Sequence, residues 1–231
     1  MSAQETFDLQ MDATRAHGSS LQRLVRSPWN VLNLYAGIGG NRKLWDATVT
    51  AVERQENIAA AYKSQYPDDA VIIGDAHEYL AANFQRFDFI WSSPPCQSHS
   101  RMIRSGNNRT PRYPDMSLYE EIIFLQTHCK GRWVVENVVP YYKPLIAPTA
   151  QIGRHLFWSN FMFSVRDIPS PENFITLSTV EGARKLKEWL GLNYEGNIYY
   201  ADNHCPAQVL RNCVHPIIGA QILEAARTPN I

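Results

Sequence analysis

Short apolar runs and polar or glycine-rich breaks alternate along most of the chain. From Trp29, the run Val31-Leu32-Asn33-Leu34-Tyr35 predicts a buried strand, broken by Gly37, Gly39 and Gly40. Asn41 to Ala47 then predicts the start of a helix. Thr48 to Glu53, rich in β-branched residues, predicts a second strand. Gln55 to Gln65 predicts a helix that Pro67 stops. Val71-Ile72-Ile73 predicts a third strand, ending at Gly74-Asp75, with a short helix after it. Phe87 to Trp91 predicts a fourth, ending in Ser92-Ser93-Pro94-Pro95-Cys96. Gln97 to Asp115 carries Gly, Asn, Pro and four arginines and reads as a mobile loop. Ser117 to Cys129 reads as a helix, and Trp133-Val134-Val135 as a fifth strand leading into Glu136-Asn137. His155 to Phe163 is aromatic and strand-like, Val180 to Leu190 helical, and Pro216 to Ala226 an amphipathic helix. Strands alternating with helices imply parallel crossovers, hence an α/β fold with a doubly wound, mostly parallel sheet. The expected organisation is a polar tail over 1–28, a main body over 29–159 and 206–231, and a small separate region over 160–205.

Composition narrows the function classes. The 231 residues, 45% of them hydrophobic, suit one compact domain with a small lobe attached. Lys+Arg and Asp+Glu balance at 22 each, so no global field draws the chain to nucleic acid; any such footprint must be local. No run approaches the length of a membrane-spanning helix. The first 28 residues carry charges and no apolar stretch, which reads as a tail rather than an export signal and makes the cytoplasm the expected location. Cys96, Cys129, Cys205 and Cys213 form no C-x-x-C pair, so no disulfide framework is expected. His204, Cys205, Cys213 and His215 cluster in sequence, but structural zinc favours tighter cysteine spacing, and no metal is expected.

In an open α/β sheet, ligands sit beyond the carboxyl ends of the strands. The turn Tyr35-Ala36-Gly37-Ile38-Gly39-Gly40 lies at such an end, and its glycines let a ligand approach the backbone. Arg42 occupies the last glycine position of a dinucleotide fingerprint, and no G-K-[ST] follows as in a P-loop. Pyrophosphate is therefore disfavoured, and a smaller group such as the amino-acid part of a nucleoside cofactor fits better. Glu53, ending the second strand, can accept from ribose hydroxyls, and Asp75, ending the third, from an adenine amino group. The alternative is that both are ordinary loop acids.

Cys96 follows a buried strand and two stiffening prolines. A lone cysteine is more often a small buried hydrophobe than a nucleophile. Its neighbours Ser93, Gln97, Ser98 and His99 are polar, however, and Glu136-Asn137 should end the adjacent strand. Cysteine and carboxyl together suit cytosine chemistry. A thiolate adding to carbon 6 pushes electrons to carbon 5, and a protonated carboxyl at ring N3 stabilises the adduct. Four arginines, Arg101, Arg104, Arg109 and Arg112, crowd the loop from Gln97 to Pro114 without an acid, a local footprint for phosphates.

Leu34-Tyr35-Ala36-Gly37-Ile38-Gly39-Gly40, Glu53, Gly74-Asp75, Pro94-Pro95-Cys96-Gln97, Glu136-Asn137-Val138, Arg154 and Asn212 occur in the order typical of the C5-cytosine DNA methyltransferases. The chain resembles that family from about Val31 to about Ala226. The resemblance implies a Rossmann-like S-adenosylmethionine-dependent fold and a DNA (cytosine-5-)-methyltransferase. It implies that Tyr35 replaces the family's usual Phe beside the cofactor, that Gly37, Ile38, Gly39 and Gly40 cradle the methionine part, and that Glu53 takes the ribose and Asp75 the adenine. Pro94 and Asn212 complete the cofactor set. Cys96 is then the nucleophile, Glu136 contacts ring N3, Asn137 holds the cysteine segment, and Arg154 is one arginine of the Gln-x-Arg-x-Arg element. Double-stranded DNA is the implied partner. The loop carrying Ser98, His99, Arg101, Arg104, Arg109 and Arg112 would close over a base flipped from the duplex.

The chain departs from the pattern in several places. Ser-Pro-Pro stands before the cysteine, His155 and Leu156 follow Arg154, and Arg211 stands where a glycine precedes Asn212. The region between these motifs, 160–205, is short for target recognition. In this compactness the chain looks like the solitary methyltransferases of phages and prophages, and protection of DNA from restriction is the expected purpose. A homodimer or a partner subunit for target recognition is a further expectation. Two other readings stay open: a tRNA cytosine-5 methyltransferase, since a related branch carries a similar Pro-Pro-Cys-Gln segment, and a DNA-binding homologue without turnover.

Overall fold

A computed structural model describes residues 28–104, 113–174, 177–200 and 205–228. The strands β1 (Trp29–Leu34), β2 (Ala47–Glu53), β3 (Ala70–Ile73), β4 (Phe89–Ser92), β5 (Arg132–Val138), β6 (Ala150–Ile152) and β7 (His155–Ser159) form one sheet in the order β3-β2-β1-β4-β5-β7-β6. The first five are parallel, while β7 runs antiparallel to both β5 and β6. β1 therefore has β2 on one side and β4 on the other. The chain winds away in both directions from this line, and the crevice beyond the carboxyl ends of β1 and β4 is the topological switch point. The glycine turn leaves β1 there, and the cysteine segment leaves β4 there. This is the doubly wound, mostly parallel sheet that the alternation predicts, in the Rossmann-like arrangement that the resemblance implies.

Successive strand residues point to opposite faces, and both faces are covered. On one side Val31, Phe89, Trp91, Val134 and Phe157 pack with Ile218, Ile222 and Leu223 of the last helix, α6 (Pro216–Arg227). On the other, Leu32, Leu34, Ile90 and Val135 pack with Leu80 of α2 (Ala76–Asn83) and with Leu118, Ile122 and Leu125 of α3 (Ser117–His128). A third cluster joins Ile38 of the glycine turn and Ile58 of α1 (Glu56–Gln65) to α4 (Val180–Leu190) and α5 (Gln208–Arg211). Phe174, Ala183, Leu186, Leu190 and Ile198 all belong to it, so much of 160–205 shares its core with the body behind the glycine turn.

The helix expected from Asn41 does not form; residues 41–44 are consecutive turns. Gly39 N–H donates to Ala36 O at 3.0 Å, Arg42 N–H to Gly39 O at 3.2 Å and Trp45 N–H to Arg42 O at 3.0 Å. Side chains fix this course. Asn41 Nδ2 donates to Asn33 Oδ1 at 2.9 Å, and the Arg42 guanidinium bonds both oxygens of Asp69 at 2.8 Å and Trp45 O at 2.8 Å. Gly219 of α6 presses against the Asn41 backbone so closely that a Cβ there would lie 2.2 Å from Asn41 O. Tertiary contacts thus override a run that could have been helical. The tail expected over 1–28 lies outside the described residues, save Pro28. Among the described residues no helix is long and apolar enough to cross a membrane, and no group of three or more His, Cys, Asp and Glu side chains could hold a metal ion.

Candidate active site

One cavity of about 460 Å³ opens at the switch point. Tyr35, Glu53, Asp75, Pro94 and Asn212 of the expected cofactor set line it, together with Cys96, Glu136, Asn137 and Arg154 of the expected catalytic set. Its size suits a small-molecule site. A second hollow of about 40 Å³ lies behind it, lined by Gly37, Ile38, Gly40, Ser93, Tyr200 and Asn212. Gly39 lines neither. It turns the chain at φ +78°, and a Cβ on it would lie 2.4 Å from Tyr66 Cε2 and 2.8 Å from Tyr62 Cε2. The turn passes so close to α1 that only glycine fits.

Each oxygen of Glu53 has a backbone partner: Gly37 N–H donates to Oε2 at 3.0 Å and Gln55 N–H to Oε1 at 2.9 Å. The carboxylate thereby fixes the glycine turn against the end of β2. The Arg54 backbone N–H bonds the carboxylate as well, which still leaves it a lone pair for a hydroxyl donor. Asp75 caps α2, with Oδ1 accepting from His77 N–H at 2.9 Å and from Glu78 N–H at 3.1 Å, while Oδ2 takes no bond among the described residues. A deep turn, two acids with spare acceptors and a cavity of this volume fit a nucleoside with an amino-acid arm.

The cysteine segment is held from the next strand. Asn137 Nδ2 donates to Pro94 O at 3.0 Å, and Val138 N–H donates to Asn137 Oδ1 at 2.9 Å. Asn137 is 1% exposed, so its amide is committed to positioning the backbone before Cys96. Behind the sulfur the chain folds into a turn, with His99 N–H and Ser100 N–H donating to Cys96 O at 3.0 and 2.9 Å. Burial pushes the Cys96 thiol up to about 11; the Glu136 charge adds to the rise and Arg154 opposes it.

Glu136 lies in β5 opposite Phe157 of β7. Burial pushes its carboxyl up to about 7, against the pull of a Ser93 hydrogen bond and of Arg154. It can therefore take up and give a proton near physiological pH, as a proton donor to a ring nitrogen needs to do. His155 Nδ1 stands 3.7 Å from Glu136 Oε1, but burial and Arg154 hold the imidazole down to about 3, so this neighbour is neutral. Arg154 stacks over Phe174 at 4.8 Å and donates to Arg211 O.

The DNA-contact set divides. His99 is only 1% exposed, and its Nδ1 lies 2.6 Å from the Tyr142 hydroxyl. Burial beside Tyr142 sets it apart from the exposed Arg101. Ser98 Oγ accepts from Asp115 N–H at 2.9 Å, closing the base of the loop. Arg101 is exposed, with Nε donating to Pro140 O at 3.4 Å. Arg109, Arg112 and the Arg104 side chain lie outside the described residues.

Several residues that line the cavity carry no motif signal, Tyr200, His77 and Asp115 among them. Tyr200 comes from the heterogeneous stretch before residue 205, and its hydroxyl accepts from Asn212 Nδ2 at 3.1 Å. His77 and Asp115 reach the same space from α2 and from the end of the arginine loop. Only the fold brings them there.

Residues 29–139 match the family described as C-5 cytosine-specific DNA methylase. No curated protein matches the chain. Among solved structures, it is similar to a Spodoptera frugiperda DNMT2 mutant at 25% identity and a TM-score of 0.33, over 48% of this chain and 35% of that one. It is similar also to the SAM-dependent methyltransferase from Agrobacterium tumefaciens at 15% identity and a TM-score of 0.37, over 58% of this chain and 45% of that one. The chain thus spans less than half the length of either structure.

Proposed function

We propose, from the premise that residues 29–139 form a C-5 cytosine-specific DNA methylase domain, that this chain transfers a methyl group from S-adenosylmethionine to carbon 5 of a cytosine in duplex DNA. The observation that carries the reading is the shared cavity: Cys96, Glu136 and Arg154 open onto the same space as Glu53 and Asp75. Donor and acceptor can therefore meet without either leaving its site.

S-adenosylmethionine supplies an electrophilic methyl group on a sulfonium. Glu53 would hold its ribose and Asp75 its adenine, with the turn through Gly37 and Gly40 around the remainder. Cys96 Sγ bonds to carbon 6 of the cytosine, and the carbon 5–carbon 6 electron pair becomes nucleophilic at carbon 5. Glu136 gives its proton to N3 and so absorbs the charge that the sulfur pushes into the ring. As carbon 5 takes the methyl group, the sulfonium carbon–sulfur bond breaks. Loss of the carbon 5 proton to a base then expels Cys96 and restores the ring. Arg154, beside both groups, favours the thiolate. The target must leave the helical stack to reach Cys96, at a cost of a few kcal/mol. The exposed Arg101 and the arginines that follow it suit the phosphates flanking such a base.

A duplex carrying 5-fluorocytosine tests this directly, because fluorine cannot leave carbon 5 as a cation and the adduct is trapped. With S-adenosylmethionine, wild type should form a covalent complex stable to denaturant, and Cys96→Ala should form none. Methyl transfer by Cys96→Ala, or preferential labelling of tRNA over duplex DNA in competition, would overturn the proposal.

A further inference from the structure

We infer that Glu121 is a positioning residue for the methyl-donor half of the cavity, a single buried carboxylate that ties together the three segments lining it. The inference rests on reading that half as the S-adenosylmethionine site.

Glu121 sits in the middle of α3, on the face that packs against the sheet with Leu118, Ile122 and Leu125. It is 0% exposed. A glutamate is almost never fully buried unless it is paired, and an apolar residue would serve packing alone at lower cost. Its partners give the burial a purpose. The Tyr35 hydroxyl donates to Oε1. Ser92 Oγ donates to Oε2 at 2.5 Å. His77 Nδ1 lies 3.4 Å from Oε1.

These three groups come from three strand ends. Tyr35 follows β1 and opens the glycine turn. Ser92 ends β4 and precedes Ser93-Pro94-Pro95-Cys96. His77 follows β3 and lies two residues past Asp75. Tyr35, His77, Asp75 and Pro94 all line the main cavity, whereas Glu121 itself does not reach it. Tyr35 also stands at φ 53°, a left-handed conformation that a side chain with a Cβ adopts only when its surroundings hold it there. The bond to Glu121 is such a restraint. One carboxylate thus sets the spacing between the start of the glycine turn, the adenine-side acid and the proline segment.

The test compares wild type, Glu121→Gln, Tyr35→Phe and the double variant, with donor affinity read by calorimetry using S-adenosylmethionine and duplex affinity read separately without it. Gln keeps the size but offers one acceptor oxygen where the carboxylate offers two. Each single variant should weaken S-adenosylmethionine binding by about fivefold or more while duplex affinity stays within about twofold. The double variant should bind no more weakly than Glu121→Gln alone, since the tyrosine acts through the acid. Tyr35→Phe removes one hydroxyl and keeps the ring, so it carries the test if Glu121→Gln does not fold. Unchanged donor affinity in both single variants would overturn the positioning role alone. So would equal losses of donor and duplex affinity that track a fall in Tm. Failure of wild type to bind S-adenosylmethionine would instead overturn the parent reading, and this one with it.

Discussion

Changing Glu136 to Gln should alter the shape of the pH–rate profile, not only its height. The reactive arrangement pairs a Cys96 thiolate with a neutral Glu136. Burial places the thiol at about 11 and the carboxyl at about 7, so between those values the pair holds one proton. In most molecules that proton is on sulfur. The thiol's value falls below about 11 once Glu136 is neutral, so the difference is at most about 4: no fewer than about one molecule in 10⁴ has the proton on Glu136, a cost of at most about 5 kcal/mol that does not vary with pH in this range. Single-turnover transfer of labelled methyl into a duplex should therefore rise about tenfold per pH unit below about 7 and run level above it. In Glu136→Gln only the thiol titrates. Its rate should keep rising above pH 7, and its thiol should ionise at lower pH, because the Glu136 charge no longer opposes the thiolate. A wild-type rate still climbing between pH 7 and 9, or a Glu136→Gln profile level over that span, would refute the reasoning.

Further outcomes follow from the same geometry. The Glu136 carboxyl moves from its ordinary 4.5 up to about 7 on folding, so the folded state is penalised only where the group ionises. The penalty is absent below about 4.5 and complete above about 7; in urea unfolding, Glu136→Gln should gain about 3 kcal/mol over wild type at pH 8 and almost nothing at pH 4. Gly39→Ala places a Cβ 2.4 Å from Tyr66 Cε2 at φ +78°. It should cost at least about 1 kcal/mol of stability and weaken S-adenosylmethionine binding, read as Tm and by calorimetry. Arg101→Ala should flatten the dependence of log duplex affinity on log salt by about one phosphate contact, with little change in sequence preference, as measured by fluorescence anisotropy at several salt concentrations.

The order of strands and helices was legible because each run has a physical period and a physical stop. Val180 to Leu190 forms the helix over the residues its pattern predicts, with Thr179 capping it and Gly191 closing it in the left-handed conformation. What failed to show in sequence was settled by distant partners. Asn41 and Arg42 leave a helical path for Asn33 and Asp69. The reversed direction of β7 has no local signature, since a strand reads alike in either sense. His99 looks like a surface residue among polar neighbours until Tyr142 covers it. Glu121 looks like any acid on an amphipathic helix, and its three partners are 44, 86 and 29 residues away. Motif residues could be found from their spacing; the residues that hold them in place could not.

Glu136 and Cys96 ride on backbone of different permanence. β5 is flanked by β4 and β7, so the amides around Glu136 should exchange with solvent only when the sheet itself opens. The amides of His99 and Ser100 are held only in the short turn onto Cys96 O, and theirs should exchange sooner. The acid should keep its place with the sheet, while the chain just beyond the sulfur should open more readily. Substitutions in that turn should then retune turnover without disturbing a single strand.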